Sequence, residues 1–348
     1  MKTKRLIRVF LINILLVILI MSLCSGCRYE PQLEEQGTDS VVFPTDDNLI
    51  VVGVSQVGSE SVWRTANTNS IQSAFTKEKG YFLLFDNARQ KQENQIKAIR
   101  SFISQQVDYI VFSPILEDGW DTVLKEARDA GIPVILMDRQ VNVEDESLYT
   151  AWVGSDFYAE GQKAGQWLEQ YLIQLGRQEE DIHIVMLQGT TGATSMIGRT
   201  EGFMEIASSH SNWKILEKTD AEYTTAKGKE VMKEMLRSYE QIDVVVSQND
   251  DMTFGAMDAI EEAGLTTGVN GNITLISFDA VKTALQMVKE GKINVDIECN
   301  PDQGPFVEKV IRCLEDGTYL ANHKYLISVP EQVFDQSNVD EFLDSRTY

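Results

Sequence analysis

IPVILMDR (132–139), IDVVVSQND (242–250) and ITLISFDA (273–280) are apolar runs of strand length, and each ends in a side chain able to grip a hydroxyl group: Asp138 with Arg139, Asn249 with Asp250, and Asp279. INVDIECNP (293–301) ends the same way near Glu298, and IHIVMLQG (182–189) runs into a loop that leads to Arg199. Short aliphatic runs bounded by turn signals are buried strands. In an open α/β sheet a ligand sits beyond the carboxyl ends of such strands, where short loops and helix N-termini leave a crevice. A polar-ligand site at these five ends is therefore the first expectation.

Working outward, strand and helix patterns alternate from Asn48 onward. LIVVGVS (49–55) precedes a helix over 61–79, YFLLFD (81–86) one over 91–106, and YIVFSP (109–114) one over 118–130, with IPVILMD (132–138) completing the set. The second of these helices shows its period directly, with Ile96, Ile99, Phe102 and Ile103 on one face. After a strand over 149–153, helices over 157–175, 195–209, 225–238, 251–263 and 280–290 alternate with strands over 182–188, 213–218, 242–247 and 272–278. Such alternation predicts α/β architecture on mostly parallel sheets, and two series of similar length predict two lobes with the ligand between them. A strand over 292–300, a helix over 303–316 and a strand over 324–329 remain. If these return to the first lobe, the chain crosses near 153, 298 and 327, a three-strand hinge. The lobes are then 49–153 plus 299–326 and 154–298 plus 327–348.

The first 26 residues stand apart. Lys2, Lys4, Arg5 and Arg8 precede an apolar run too short for a comfortable membrane span, the pattern of a secretory signal over 1–26. Cys24-Ser25-Gly26-Cys27 resembles a bacterial lipobox, although Cys24 stands where that motif usually has leucine; lipidation at Cys27 would anchor the protein to the membrane. Residues 27–48, rich in Glu, Gln, Asp and Thr, read as a flexible tether. The expected location is the extracytoplasmic face of the bacterial cell membrane. The net charge of −22 grows more negative once the basic signal is removed, and such a field repels nucleic acid. Of four cysteines, Cys299 and Cys313 fall in the folded part; a disulfide is permitted by the address, but buried thiols are the favoured reading. Cysteines and histidines match no metal-ligand spacing, so neither metal nor cofactor is expected.

Six stretches in order carry a resemblance: SQVGSESVWRTANTNS (55–70), KQENQIKAIRSFISQQVDYIVFSP (91–114), AGIPVILMDR (130–139), LQGTTGATSMIGRTEGF (187–203), SQNDDMTFGAMDAIEEAG (247–264) and LISFDA (275–280). Together they resemble the type I periplasmic sugar-binding proteins of ATP-driven importers, most of all the branch that binds galactofuranose and related sugars. The resemblance implies two Rossmann-like lobes that close on a monosaccharide without covalent chemistry, in a monomer that serves ABC permease subunits. Carried over motif by motif, it makes Asp138, Arg139, Arg199, Asn249 and Asp279 ligand contacts. It adds Tyr223 as the aromatic before the third second-lobe helix, and Trp63 in the first loop with Arg64 and Glu60 beside it. Cys299 falls opposite a glutamine of the ribose binders, so Glu298 or Asn300 is expected to substitute.

These residue types suit a sugar. Aspartate accepts several hydrogen bonds, arginine donates up to five, asparagine does both, and aromatic rings cover C–H faces. The rival for Trp63 is a core aromatic; Trp120 is read as lobe packing, and Asp250 and Asp251 as helix caps. Enzyme readings fail on motif: no GxGxxG follows the first strand, and neither GxxxxGK[ST] nor GxSxG occurs. A sugar-responsive repressor would need a DNA-binding module where the signal stands. A receptor feeding a sensor kinase or chemoreceptor would share the pocket, and neither the transport choice nor the furanose-or-pyranose choice is legible in residue types.

Overall fold

Twelve strands are defined among the described residues, which in this computed structural model are 48–318 and 325–348. The expected signal 1–26, Cys27, the tether through 47 and the 319–324 stretch lie outside them. In chain order the strands are β1 (Ile50–Gln56), β2 (Tyr81–Asn87), β3 (Tyr109–Phe112), β4 (Val134–Met137), β5 (Ala151–Gly154) and β6 (Ile182–Gln188). They continue as β7 (Trp213–Asp220), β8 (Val244–Ser247), β9 (Thr274–Asp279), β10 (Val295–Glu298), β11 (Tyr325–Ser328) and β12 (Val333–Asp335). The α-helices are α1 (Val62–Ala74), α2 (Gln92–Ser104), α3 (Asp121–Asp129), α4 (Phe157–Gln174), α5 (Thr194–Ala207), α6 (Thr225–Ser238), α7 (Asp250–Glu262), α8 (Lys282–Lys289), α9 (Gly304–Glu315) and α10 (Asp340–Leu343).

Two six-stranded sheets result. One runs β11-β5-β4-β3-β1-β2 with parallel neighbours throughout; the other runs β12-β10-β9-β8-β6-β7 and is parallel except where β12 pairs antiparallel with β10. β3, β4 and β8 are buried at every position, as strands covered on both faces must be. Their period of two sorts the side chains: Val134 and Leu136 pack with Ile99 and Phe102 of α2 and Val123 and Leu124 of α3, while Ile135 and Met137 face Ile71 of α1 and Val307 and Ile311 of α9. In the other sheet Met186, Val244 and Phe278 meet Leu168 of α4 and Phe203 of α5, whereas Val185, Val245 and Leu275 meet Val231, Ala256 and Leu285 of α6, α7 and α8. Each such side chain contributes about 1.5–3 kcal/mol on burial, so all four faces stabilise the fold. Gly202 is needed for one of them: a Cβ there would lie 2.0 Å from the Tyr158 carbonyl oxygen, so only glycine lets α4 and α5 approach this closely.

The chain passes between the sheets three times, at 155–156, 299–303 and 329–332. Two local differences from the sequence reading have clear causes. α1 stops at Ala74 instead of 79, because Phe75 turns into the core, edge-on to Tyr81 with ring centres 5.1 Å apart, and a 3-10 turn follows. β12 was not anticipated; three residues are too few to show a period. Trp120 is fully buried with its ring centre 4.8 Å from that of Phe112, a packing residue as read. Cys299 and Cys313 are free thiols, the first buried and the second half-buried.

Candidate functional site

The first wall of the site comes from the sheet that begins with β1. β4 delivers Asp138 and Arg139 at its carboxyl end, and the turn into α1 delivers Glu60, Trp63 and Arg64. Asp138 leaves the strand at φ 63°, a left-handed conformation held by its N–H to Val153 O (2.8 Å) and by Trp152 Nε1 donating to its own carbonyl (3.0 Å). Arg64 reaches Asp138 Oδ2 at 2.7 Å and Glu60 Oε1 at 3.0 Å. Burial disfavours its charge, but Asp138 and Glu60 outweigh burial and hold the guanidinium above its ordinary value. Arg139 donates to Ile115 O at 3.1 Å.

The second wall comes from the other sheet. Arg199 projects from α5, Tyr223 from the turn before α6, Asn249 from the end of β8 and Asp279 from the end of β9. Asn249 caps α7, its Oδ1 accepting from Met252 N at 2.9 Å. Arg199 is tied at every nitrogen: Nε to Glu160 Oε2 (2.6 Å), Nη1 to Gln248 O, Nη2 to Asp279 Oδ1 (3.3 Å). Burial, only partly offset by Arg199, pushes Asp279 well above the usual carboxylate range, and burial likewise raises the Tyr223 phenol. Tyr223 fits because residue 189 is glycine: a Cβ there would sit 1.8 Å from its ring.

Nine of the ten expected side chains thus line one cavity, together with Ser61, Phe157, Ser195 and Cys299. The walls meet across it. Arg139 lies over the Tyr223 ring at 5.2 Å, Trp63 Nε1 donates to Cys299 O at 2.6 Å, and Asp251 Oδ2 accepts from Val62 N at 3.1 Å. Gln140 N to Thr194 Oγ1 (3.1 Å) and Glu117 N to Gly192 O (2.8 Å) close the rim. Two buried polar atoms in this cavity, Glu60 Oε2 and Arg139 Nε, have no hydrogen-bond partner, the latter only an ion-pair contact to Asp138 Oδ2 at 3.9 Å; they are an acceptor and a donor of the kind a hydroxyl satisfies at once.

Three expectations are corrected. Glu298 is outside the cavity: its Oε1 binds Arg346 Nη1 (2.6 Å) and Tyr348 OH (3.2 Å), and its Oε2 accepts from Gln332 N (3.0 Å). Cys299 lines the cavity instead, and burial pushes its thiol well up, so it offers a neutral surface. Asp250 and Asp251 are not the caps of α7; Asp251 links the walls, and Asp250 is buried, accepting from Ser277 Oγ (2.6 Å) and Val281 N (2.8 Å). The sequence reading also missed Glu160, whose only signal was a lone acid in the first turn of a helix. Among the described residues one group has ligand atoms close enough to hold a metal: Glu160, Cys299 and Glu331, within 4.8 Å of one another.

Comparison with known proteins bears on the fold. Residues 51–303 match the family model described as a periplasmic binding protein domain. The chain is 41% identical to the galactofuranose-binding protein YtfQ of Escherichia coli (strain K12) over 77% of its own length and 83% of that protein's. A crystal structure from Mycobacterium smegmatis in complex with β-D-fucofuranose is 43% identical, with a TM-score of 0.80 over 85% of this chain and 94% of the other. The periplasmic component of the arabinose ABC transporter from Shewanella sp. ANA-3, bound to α- and β-L-arabinofuranose, is 41% identical, with a TM-score of 0.79 over 85% and 95%.

Proposed function

This chain belongs to the periplasmic binding protein family, and from that premise we propose that it captures a monosaccharide in the furanose form between its lobes and delivers it to an ABC importer. The observation that carries the reading is the cavity walled by both sheets, in which Asp138, Arg139, Arg199, Asn249 and Asp279 gather around polar atoms of Glu60 and Arg139 that lack a hydrogen bond. The furanose choice is supported by relatives at about 40% identity, named for galactofuranose, fucofuranose and arabinofuranose. Charged partners make hydrogen bonds worth roughly 1.5–3 kcal/mol each, enough after desolvation to reach about −8 kcal/mol, the micromolar range.

Capture follows as a population shift: sugar contacts both walls only when the lobes are together, so its binding favours that form. The lobes move about the three passages, and their expected limits at 153 and 326 shift to 154 and 328, where β5 and β11 of the first sheet end. The protein works as a monomer outside the cytoplasm, held to the membrane by a lipid on Cys27. Mass spectrometry of the sugar that co-purifies, followed by calorimetric titration with D-galactose and L-arabinose, tests the assignment. Micromolar or tighter binding of an aldose with a furanose form supports it; a pyranose-locked sugar or a non-sugar ligand overturns it.

A further inference from the structure

Behind Arg199 the three passages between the sheets meet. Ser155 from the first donates Oγ to Glu331 Oε1 of the third and lies 3.4 Å from Cys299 Sγ of the second. Asn300 N donates to the same Glu331 oxygen at 3.0 Å. Against this junction stands Glu160 of α4, fully buried, with Oε2 on Arg199 and Oε1 without a hydrogen-bond donor. The charged and titratable groups facing it are Arg199 from α5, Lys163 from α4, Asp279 from β9, Glu331 and the Cys299 thiol, the last two with ligand atoms within 4.8 Å of its own. Lys163 Nζ reaches the Glu331 carbonyl at 3.2 Å.

Two cations therefore face three carboxylates: Glu160 and Asp279 are buried, while Glu331 is half-buried. A buried carboxylate without its own counter-charge takes up a proton instead of remaining ionised. Burial, reinforced by the charge of Glu160, pushes Glu331 up to about 9, and burial raises Glu160 as well. A metal ion is the poorer occupant, because it needs Cys299 as thiolate and burial holds that thiol protonated.

We propose that Glu160 and Glu331 share one proton at the hinge, and that Glu160 is thereby a positioning residue for the Arg199 guanidinium, so that losing this proton weakens ligand capture. The link to capture rests on Arg199 touching sugar; the shared proton does not. An acid raised in the fold adds stability that is complete below its unfolded value, about 4.5, and is lost as pH rises through its folded value, about 9. In the sugar-free protein, Tm should fall over that window. E331Q keeps a donor toward Glu160 at every pH and should flatten the fall, while D-galactose affinity stays within about twofold of wild type near neutrality and exceeds it about tenfold at high pH. E160Q should flatten the same fall and lower galactose affinity about tenfold at all pH values, because Arg199 loses its anchor. A wild-type Tm slope in both variants overturns the shared proton, as does a Zn²⁺-induced rise in Tm that E331Q abolishes. Flattened slopes with galactose affinity unaltered at every pH overturn the positioning role. If the wild type binds no galactose, the sugar assignment fails while the Tm arm still decides the proton.

Discussion

The two walls of the cavity solve the same problem differently. In the first wall the charges neutralise one another inside the cavity: Arg64 holds both Asp138 and Glu60, and Arg139 leans on a backbone carbonyl. In the second wall the groups that face the cavity are braced from behind. Arg199 is anchored by Glu160, and Asp279 sits at φ 107° with Ala280 at φ 59°, two successive strained residues. Buried acids grip the amides that follow, Asp296 taking Ala280 N at 3.1 Å and Asp250 taking Val281 N at 2.8 Å. Strain of this kind persists only where the surroundings over-determine it. The first wall pairs its charges inside the cavity and takes only neutral support from behind, from Ser113 Oγ on Asp138 Oδ2 (3.0 Å) and Gln56 Oε1 on Arg64 Nη1 (3.3 Å), whereas the second depends on buried acids that do not line the cavity.

The sharpest way to break the contrast is Arg199→Ala. It strands Glu160 and Asp279 in the interior, and loss of one partner from a buried ion network should destabilise the fold by about 3–5 kcal/mol and abolish measurable sugar binding. Denaturant unfolding and calorimetry would report both. Asp138→Ala should be milder for the fold, because Arg64 keeps Glu60, yet it should weaken binding about 100-fold, or roughly 2.7 kcal/mol; calorimetry with unfolding as control checks that asymmetry.

Asp296→Asn sharpens the contrast from the bracing side. Burial pushes Asp296 up, and it titrates with its buried neighbour Asp250, so the stabilising share of the pair is full below about 3.8 and is lost as pH rises through their raised range. The variant should flatten that part of the Tm-against-pH curve and weaken sugar binding about tenfold by loosening Asp279, an effect Asp138→Ala cannot mimic. Smallest of all, Glu298→Ala should change affinity less than about threefold while lowering stability by about 1 kcal/mol through the loss of Arg346 and Tyr348, as thermal melts would register.

The same contrast governs what the sequence revealed. Asp138, Asn249 and Asp279 were legible because each follows a largely apolar run, and a polar residue there has few roles besides facing the crevice. Glu160 was not, because a lone acid in a helix's first turn looks like a favourable charge near the helix dipole. Asp250 was misread for the same reason, standing in a polar run that also supplies the true cap, Asn249. Glu298 and Cys299 exchanged roles because neighbours at a strand end point to opposite faces, so a one-residue error moves a side chain out of the cavity. The second wall's support comes from residues distant in sequence, and only the folded chain brings them together.

The rim contacts carry a kinetic consequence. Asp251, Thr194 and Gly192 lock onto the first wall and the side chains within are almost wholly shielded from water, so parting of the walls opens the way out. Residence time is therefore set by the parting of the two halves, which a grip on both walls slows. A membrane partner that pries them apart would collect its cargo at a pace of its own choosing.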